Sequence, residues 1–342
     1  MDDAARDGSA PETERVQPLD VLIVGAGPAG LAVAIAARED GLQYEVLEKG
    51  VLVNSIYHFP RNMVFFTTAE LLEIGGLPFV TPYEKPTQAE GLKYYRRVAD
   101  AYSLRIASDE EVTAIRPQAR GAPGFVVESR WRAEGRTRLA RNVVVATGYY
   151  DNPNRLGVPG EDLPHVSHYY REAHAYHRRN VVVVGGKNSA AIVALELYRA
   201  GASVTLVHRG PTLGASVKYW IRPDIDNRIQ EGSIDARFET RVVEITPDTV
   251  VVENARGRHS LPADAVFLLT GYHPDCALLT GAGVRVDSAT LVPEHDHETL
   301  ETNVPGLYLA GAVVSGRETG RIFIENGRFH GRAIVDSIRA RR

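Results

Sequence analysis

Two apolar runs of one design recur along the chain, "VLIVGAGPAGLAVAIAAREDGLQYEVLEKG" (21–50) and "VVVVGGKNSAAIVALELYRAGASVTLVHRG" (181–210). Each opens on a continuous run of Val, Ile and Leu, which predicts a strand buried on both faces. A Gly-rich turn follows, then apolar positions at helical spacing, then a second apolar strand. The pattern is a βαβ unit met twice, and the copies align without gaps, Gly25 on Gly185 and Glu48 on His208.

A second echo trails each unit. "NVVVATGYY" (142–150) matches "AVFLLTGYH" (265–273), both buried-strand runs that end in Thr-Gly-Tyr. Alternating patterns at 111–140 and 234–261 predict extra strands before each. The last segment adds one strand at 307–310 and a closing helix from about 325, with no counterpart after the second unit. It is read as returning to complete the first. The expected fold is α/β: two Rossmann-like, FAD/NAD(P)-binding three-layer domains, the second inserted in the first. Residues 18–153 and 275–342 form one domain and 154–274 the other, after a polar, disordered tail at 1–17.

Composition narrows the function. The 342 residues suit two domains, and a net charge of -4 gives no bulk attraction to nucleic acid. No stretch reaches the ~20 apolar residues of a membrane span, so a soluble, cytoplasmic protein is expected. Cys276 is the single cysteine, which excludes an internal disulfide and a CxxC redox pair. The eleven histidines are scattered, and no metal constellation is expected.

The two turns differ in chemistry. In the first, Gly25, Gly27 and Gly30, with Pro28 and Ala29 between, permit a tight turn, close approach of a pyrophosphate and close helix–strand packing. The helix N-terminus offers free N–H groups to phosphate. Glu48, at the end of the next strand, suits ribose hydroxyls. In the second, Gly185 and Gly186 remain, Lys187 replaces the middle glycine, and Asn188 and Ser189 open the helix. Where the first unit has Glu48, the second has His208 and Arg209. An acid there repels a 2′-phosphate and an Arg accepts it, so the second site is expected to take NADPH. An acid-tipped and a base-tipped site on one chain make sense if hydride passes from nicotinamide to flavin, so the first is expected to hold FAD.

The domain plan resembles the thioredoxin-reductase-like flavoproteins with two dinucleotide-binding domains. More narrowly, "VNSIYHFPRNMVFFTTAELLEIGGLPF" (53–79), the second βαβ unit, "KYWIRPDIDNRIQEGSI" (218–234) and "IFIENGRFHG" (322–331) resemble the YpdA-type bacillithiol disulfide reductase family. The resemblance implies FAD, NADPH and reduction of a low-molecular-weight disulfide, bacillithiol disulfide, or of a thiol-redox partner protein, by a homodimer or homotetramer. It also marks departures. The CxxC of thioredoxin reductases is missing, the fingerprint Cys of the YpdA type is Ala29, and the Asp that many relatives place after the last strand's Gly is Ala312.

In such a fold Asn54 and Ser55 run beside the isoalloxazine, with Tyr57 and His58 toward the substrate, His58 as a candidate proton donor. Lys49 and Thr147-Gly148 join the FAD candidates. The Val112 backbone is expected at the adenine, and the N–H groups of Gly311 and Ala312 at the pyrophosphate. The helix near Glu325-Asn326 is expected to aim its positive end at the flavin pyrimidine. Phe65-Phe66 reads as core, or as a wall to the flavin. Lys218 and Arg222 could neutralise NADPH phosphate or a substrate carboxylate. Cys276 reads as a small buried hydrophobe and His273 as a strand-end residue. Three other readings stand beside the disulfide reductase: a ferredoxin- or flavodoxin-NADP reductase, a flavin monooxygenase, for which "TGYHPD" speaks, and a non-catalytic NADPH-sensing flavoprotein.

Overall fold

The computed structural model describes residues 17–118 and 124–341; the tail read at 1–17 lies, but for Gln17, outside them. The first βαβ unit is β1 (Leu19–Val24), α1 (Pro28–Glu39) and β2 (Tyr44–Leu47). After it come α2 (Asn54–His58), α3 (Gln88–Ala101), β3 (Ile106–Ala107), β4 (Glu110–Pro117), β5 (Phe125–Trp131) and β6 (Glu134–Val145). β6 serves two partnerships. Its first half closes an antiparallel meander with β5 and β4, and its second half lies parallel to β1. Strand order is β3-β2-β1-β6-β5-β4.

The second unit follows β7 (Val166–Ser167) as β8 (Asn180–Val184), α4 (Asn188–Arg199) and β9 (Ser203–Val207). Then come α5 (Arg222–Gln230), β10 (Ile234–Arg237), a meander of β11 (Arg241–Ile245), β12 (Thr249–Asn254) and β13 (Gly257–Pro262), and β14 (Ala265–Leu268). β10-β9-β8-β14-β7 form a second, parallel sheet. The chain then runs through α6 (Ala277–Gly281) to β15 (Leu307–Leu309), which pairs with β6 of the first sheet. The strand expected at 307–310 therefore rejoins the first sheet.

The central strands carry the cores. Val21, Leu22 and Ile23 in β1 and Val182 and Val183 in β8 are fully buried, and each such side chain contributes about 1.5–3 kcal/mol on leaving water. This explains why both strands are unbroken apolar runs: helices and neighbouring strands cover both faces.

The closing helix differs from expectation. It is two helices, α7 (Ile324–Gly327) and α8 (His330–Ala340), separated at Arg328-Phe329. Two close approaches account for the break. A Cβ on Gly327 would stand 3.4 Å from Gly311 Cα, and one on Gly331 would stand 2.5 Å from Ala32 O in α1. Arg328 fixes the corner by donating to the carbonyls of Glu70 and Glu73, at 2.7 and 3.0 Å.

Candidate functional site

The first turn is locked by its neighbours. The Ala26 N–H donates to Glu48 Oε2 at 2.8 Å, and the Ala26 carbonyl accepts from Val53 N–H at 3.1 Å. The other Glu48 oxygen accepts from the Gly50 N–H at 2.9 Å. Burial pushes the Glu48 carboxyl above its ordinary value, against the pull of those two N–H groups. A Cβ on Gly30 would lie 2.0 Å from Gly25 O and one on Gly25 would lie 2.6 Å from Ala146 O, so the strand, the turn and α1 touch backbone to backbone. Gly27 differs: a Cβ there meets nothing within 4 Å, nor does one on Gly148. These two glycines border open space above the turn, which leaves the backbone there open to the approach of a pyrophosphate.

The predicted first-site residues converge on the C-terminal ends of the parallel strands, where ligands bind in such sheets. Val53, with φ +48, delivers Asn54 and Ser55 at the start of α2, next to the turn. Thr147-Gly148 follow Ala146, whose N–H bonds Val24 O. Gly311 lies on Ala29, a Cβ at 311 falling 2.7 Å from the Ala29 Cβ. β4 starts against this site, because the Glu110 N–H donates to Glu48 O, and Val112 lies two residues further on. Lys49 is half-exposed and pairs with Asp151 at 2.9 Å. Tyr57 is exposed and His58 half-buried, their rings edge to face at 5.0 Å; the His58 carbonyl accepts from Tyr150 Oη at 3.4 Å.

Two expectations change here. The Gly311 N–H is already committed, donating to His330 Nδ1 at 3.0 Å. Asn326 spends its side chain on its own turn: Oδ1 accepts the Phe323 N–H and Nδ2 donates to Arg321 O. α7 has four residues, too few to sum a useful dipole, so the positive helix end expected at the flavin is absent from Asn326.

In the second turn a Cβ on Gly185 would lie 2.5 Å from Leu269 O and 2.9 Å from the Ala190 Cβ. Asn188 pins the following loop to the α4 N-terminus, accepting from the Lys218 N–H at 2.9 Å and donating to Ser216 O at 3.0 Å. His208 leans on Gly186, and burial together with Arg209 lowers its pKa. Arg222 is engaged otherwise than expected: it pairs with Asp226 at 2.7 Å and donates to Leu213 O, so it braces the loop. Lys187, Ser189 and Arg209 are exposed, and among the described residues neither Lys187 nor Arg209 forms an ion pair. They are the exposed cations beside this turn; Lys218, near the Phe66 and Trp220 rings at 5.6 and 5.8 Å, also forms no ion pair among the described residues.

Four tyrosines pack where the chain crosses between the sheets. Tyr150 and Tyr272 stand 4.7 Å apart with Tyr149 and Tyr169 against them. Tyr272 Oη donates to His168 O and Tyr169 Oη to Tyr150 O, and burial pushes Tyr150 up to about 12. Three of the four belong to the echoed Thr-Gly-Tyr segments, the signal that could have found them. Phe65 and Phe66 part company: Phe65 is buried in the first core, while Phe66 packs on the second core. Cys276 is half-buried with Sγ 3.8 Å from Pro274 O and Leu291 O, and burial raises its thiol pKa, which makes it a poor nucleophile. His273 bonds Pro274 O. Among the described residues no group of His, Cys, Asp and Glu is placed to hold a metal, and no helix is long and apolar enough to cross a membrane.

Comparison with known proteins agrees with this geometry. The pattern of the pyridine nucleotide-disulphide oxidoreductase family matches residues 22–311. The chain is 41% identical over 321 residues to the bacilliredoxin reductase Bdr of Bacillus subtilis (strain 168), spanning 94% of this chain and 97% of that one. It is 25% identical over 302 residues to a ferredoxin–NADP reductase of Ignicoccus hospitalis, covering 86% of this chain and 90% of the other. Among solved structures, the bacillithiol disulfide reductase Bdr (YpdA) from Bacillus cereus superposes with a TM-score of 0.93 at 42% identity, over 95% of this chain and 100% of that one. A flavin-containing monooxygenase from Stenotrophomonas maltophilia shares the fold at 22% identity and a TM-score of 0.73. The chain belongs to the pyridine nucleotide-disulphide oxidoreductase family, among its YpdA-type Bdr reductases.

Proposed function

We infer that the protein is an FAD-dependent NADPH oxidoreductase that reduces bacillithiol disulfide or a thiol-redox protein carrying such a disulfide. The observation that carries this is the pairing of two Gly-rich turns, one tipped by a buried acid and one by an outward arginine. The unit 18–153 with 275–342 holds FAD and the unit 154–274 holds NADPH. Bound there, FAD would supply two-electron chemistry, with hydride in from NADPH and two electrons out to a disulfide, which with two protons yields two thiols.

The chain's own residues bind and position. Gly25, Gly27 and Gly30 open the floor for the FAD pyrophosphate, with Pro28, Ala29, Thr147, Gly148 and Ala312 around it. Glu48 keeps lone pairs for ribose hydroxyls while its carboxylate holds the turn. Asn54 and Ser55 would line the ring system and the Val112 backbone the adenine, with Lys49, paired to Asp151, at the rim. Gly185, Gly186, Asn188 and Ser189 cradle the NADPH pyrophosphate. Lys187 and Arg209 meet its charge, with His208 beneath. His58, beside Tyr57, supplies a proton to the leaving thiolate. Ala29 has no sulfur to give and Cys276 is held by carbonyls. The disulfide sulfurs therefore receive electrons without a mixed disulfide to this chain.

That lack of a reactive cysteine also favours a second reading, electron transfer to ferredoxin or flavodoxin, in keeping with the ferredoxin–NADP reductase likeness. One experiment separates them. The purified yellow protein is reduced anaerobically with NADPH, and candidate acceptors are added while the flavin band is followed. Rapid reoxidation by bacillithiol disulfide, or by an oxidised bacilliredoxin, supports the disulfide reductase. Reoxidation by ferredoxin alone supports the rival, and a colourless protein that takes no FAD ends both.

A further inference from the structure

We propose that His330 is a positioning residue for the dinucleotide held by the first turn: its imidazole accepts the Gly311 N–H at Nδ1 and fixes the backbone that floors the pyrophosphate site. The proposal rests on the assignment of FAD to that turn.

The geometry is specific. Gly311 follows β15 with φ +74, a left-handed conformation that only glycine adopts without strain. It is buried on Ala29, in the middle of the first Gly-rich turn, and a Cβ added to it would stand 2.7 Å from the Ala29 Cβ. The preceding Ala310 N–H is tied to Val145 O at 2.9 Å in β6. The Gly311 N–H therefore ends a row of strand bonds and needs its own acceptor, since an unpaired buried N–H is costly. His330, nineteen positions on, provides it at 3.0 Å from the first turn of α8. Gly331 lets that turn sit on α1, a Cβ there lying 2.5 Å from Ala32 O. One residue pair thus joins the last strand, the closing helix and the nucleotide turn.

A backbone N–H can only donate, so Nδ1 must be bare and the ring must carry its proton on Nε2. Protonating the imidazole turns Nδ1 into a second donor facing the Gly311 N–H, and the contact is lost. The surroundings resist this. Burial lowers the His330 pKa below its ordinary 6.5, and His295, on the loop before β15, adds electrostatic opposition. Around the contact α1 offers Ala29, Ala32 and Val33. The turn at Gly311–Ser315 carries no titratable side chain, and α7 carries Glu325. On α8 itself Arg332 is spent on Asp40 and Asp336.

The test titrates apoprotein with FAD, following flavin fluorescence, from pH 5 to 8. Wild-type affinity is expected to fall as the pH drops through the His330 pKa, which burial holds below the ordinary 6.5, by at most about tenfold per pH unit because one proton is linked. His330→Asn places an amide oxygen near the Nδ1 position, an acceptor that does not titrate. It should bind FAD within about threefold of wild type at pH 8 and lose the acid slope, on the same one-proton linkage. His330→Leu should bind about tenfold more weakly than wild type at pH 8, the effect of orphaning a buried N–H, and should lack the acid slope, so that the gap to wild type closes in acid. The proposal is overturned if His330→Asn keeps the wild-type slope, or if a His330→Leu protein with wild-type circular dichroism binds FAD as wild type does at pH 8. A wild-type chain that takes no FAD at any pH overturns the cofactor assignment itself, and the proposal with it.

Discussion

The His208 ring lies against Gly186 so closely that a Cβ on the glycine would come within 2.2 Å of Cε1 and 2.4 Å of Nδ1. The residue that stands at the acid position of the second unit therefore fills its turn, and the next residue, Arg209, is left pointing outward. The arrangement depends on a bare glycine backbone. Gly186→Ala must displace the imidazole, beside a carbonyl that accepts the Gly214 N–H of the following loop. Affinity for NADPH should fall about tenfold or more, roughly 1.4 kcal/mol, while bound flavin per chain stays at the wild-type level. Equal loss of both would mean that the substitution unfolds the chain.

Arg209 carries the discrimination between nucleotides. A guanidinium beside a 2′-phosphate makes charge-assisted bonds that NADH cannot form. Arg209→Ala should raise the KM for NADPH by about tenfold or more and leave that for NADH nearly unchanged. Steady-state kinetics with both nucleotides decides, and a parallel rise in the two constants would remove the arginine from the site.

Glu110 has no exposed side-chain surface and is held by Arg138, Arg136 and Ser129, with Arg138 reaching across to Glu45. Burial would raise the Glu110 pKa, yet these bonds bring it below the ordinary 4.5. A depressed carboxyl pKa contributes stability that is present above 4.5 and is lost as the pH falls through the folded value. Arg138→Met keeps bulk but leaves Glu110 short of its main partner, which should cost about 3 kcal/mol at pH 7. The gap to wild type should narrow below pH 4.5, where the acid can protonate. Urea unfolding at pH 7 and pH 4 measures both; a gap that widens in acid contradicts the assignment.

Much of this was readable because it is local. β1, α1 and β2 follow from one run of apolar spacing, and the match of Gly25 to Gly185 gave the second unit its place. The return of β15 to the first sheet was readable too, since the final strand had no counterpart in the second unit, although its pairing with β6 was not. What escaped depends on contacts between distant segments. Whether Phe65 and Phe66 point the same way is set by which core each meets, not by their composition. The break at Arg328-Phe329 comes from Gly327 and Gly331 approaching Gly311 and Ala32, and no helical period reports such proximity. Arg222 reads as a phosphate ligand until Asp226, one turn on, is seen to hold it.

The two halves of the molecule also meet through aromatic side chains. Phe66 and Lys85, from the segment after α2, approach Trp220, which precedes α5 on the side of the second sheet. The Phe66 ring is 6.0 Å away edge to face, and Lys85 Nζ is 4.0 Å from the ring centroid. The Arg61 N–H adds a bond to Arg171 O at 2.9 Å. Trp220 is 41% exposed, so the lower end of the usual range applies: about 0.5–1 kcal/mol for the cation–π contact and about 0.5 kcal/mol for the ring pair. Trp220→Ala should therefore cost about 1–1.5 kcal/mol on those two figures and speed limited proteolysis in the 211–221 loop. Lys85→Ala should cost less. Lys85 can lose only its contact with the ring, so the double variant should be hardly worse than Trp220→Ala alone, a coupling that a double-mutant cycle reads directly. Simple addition of the two effects would show that Lys85 and Trp220 act independently.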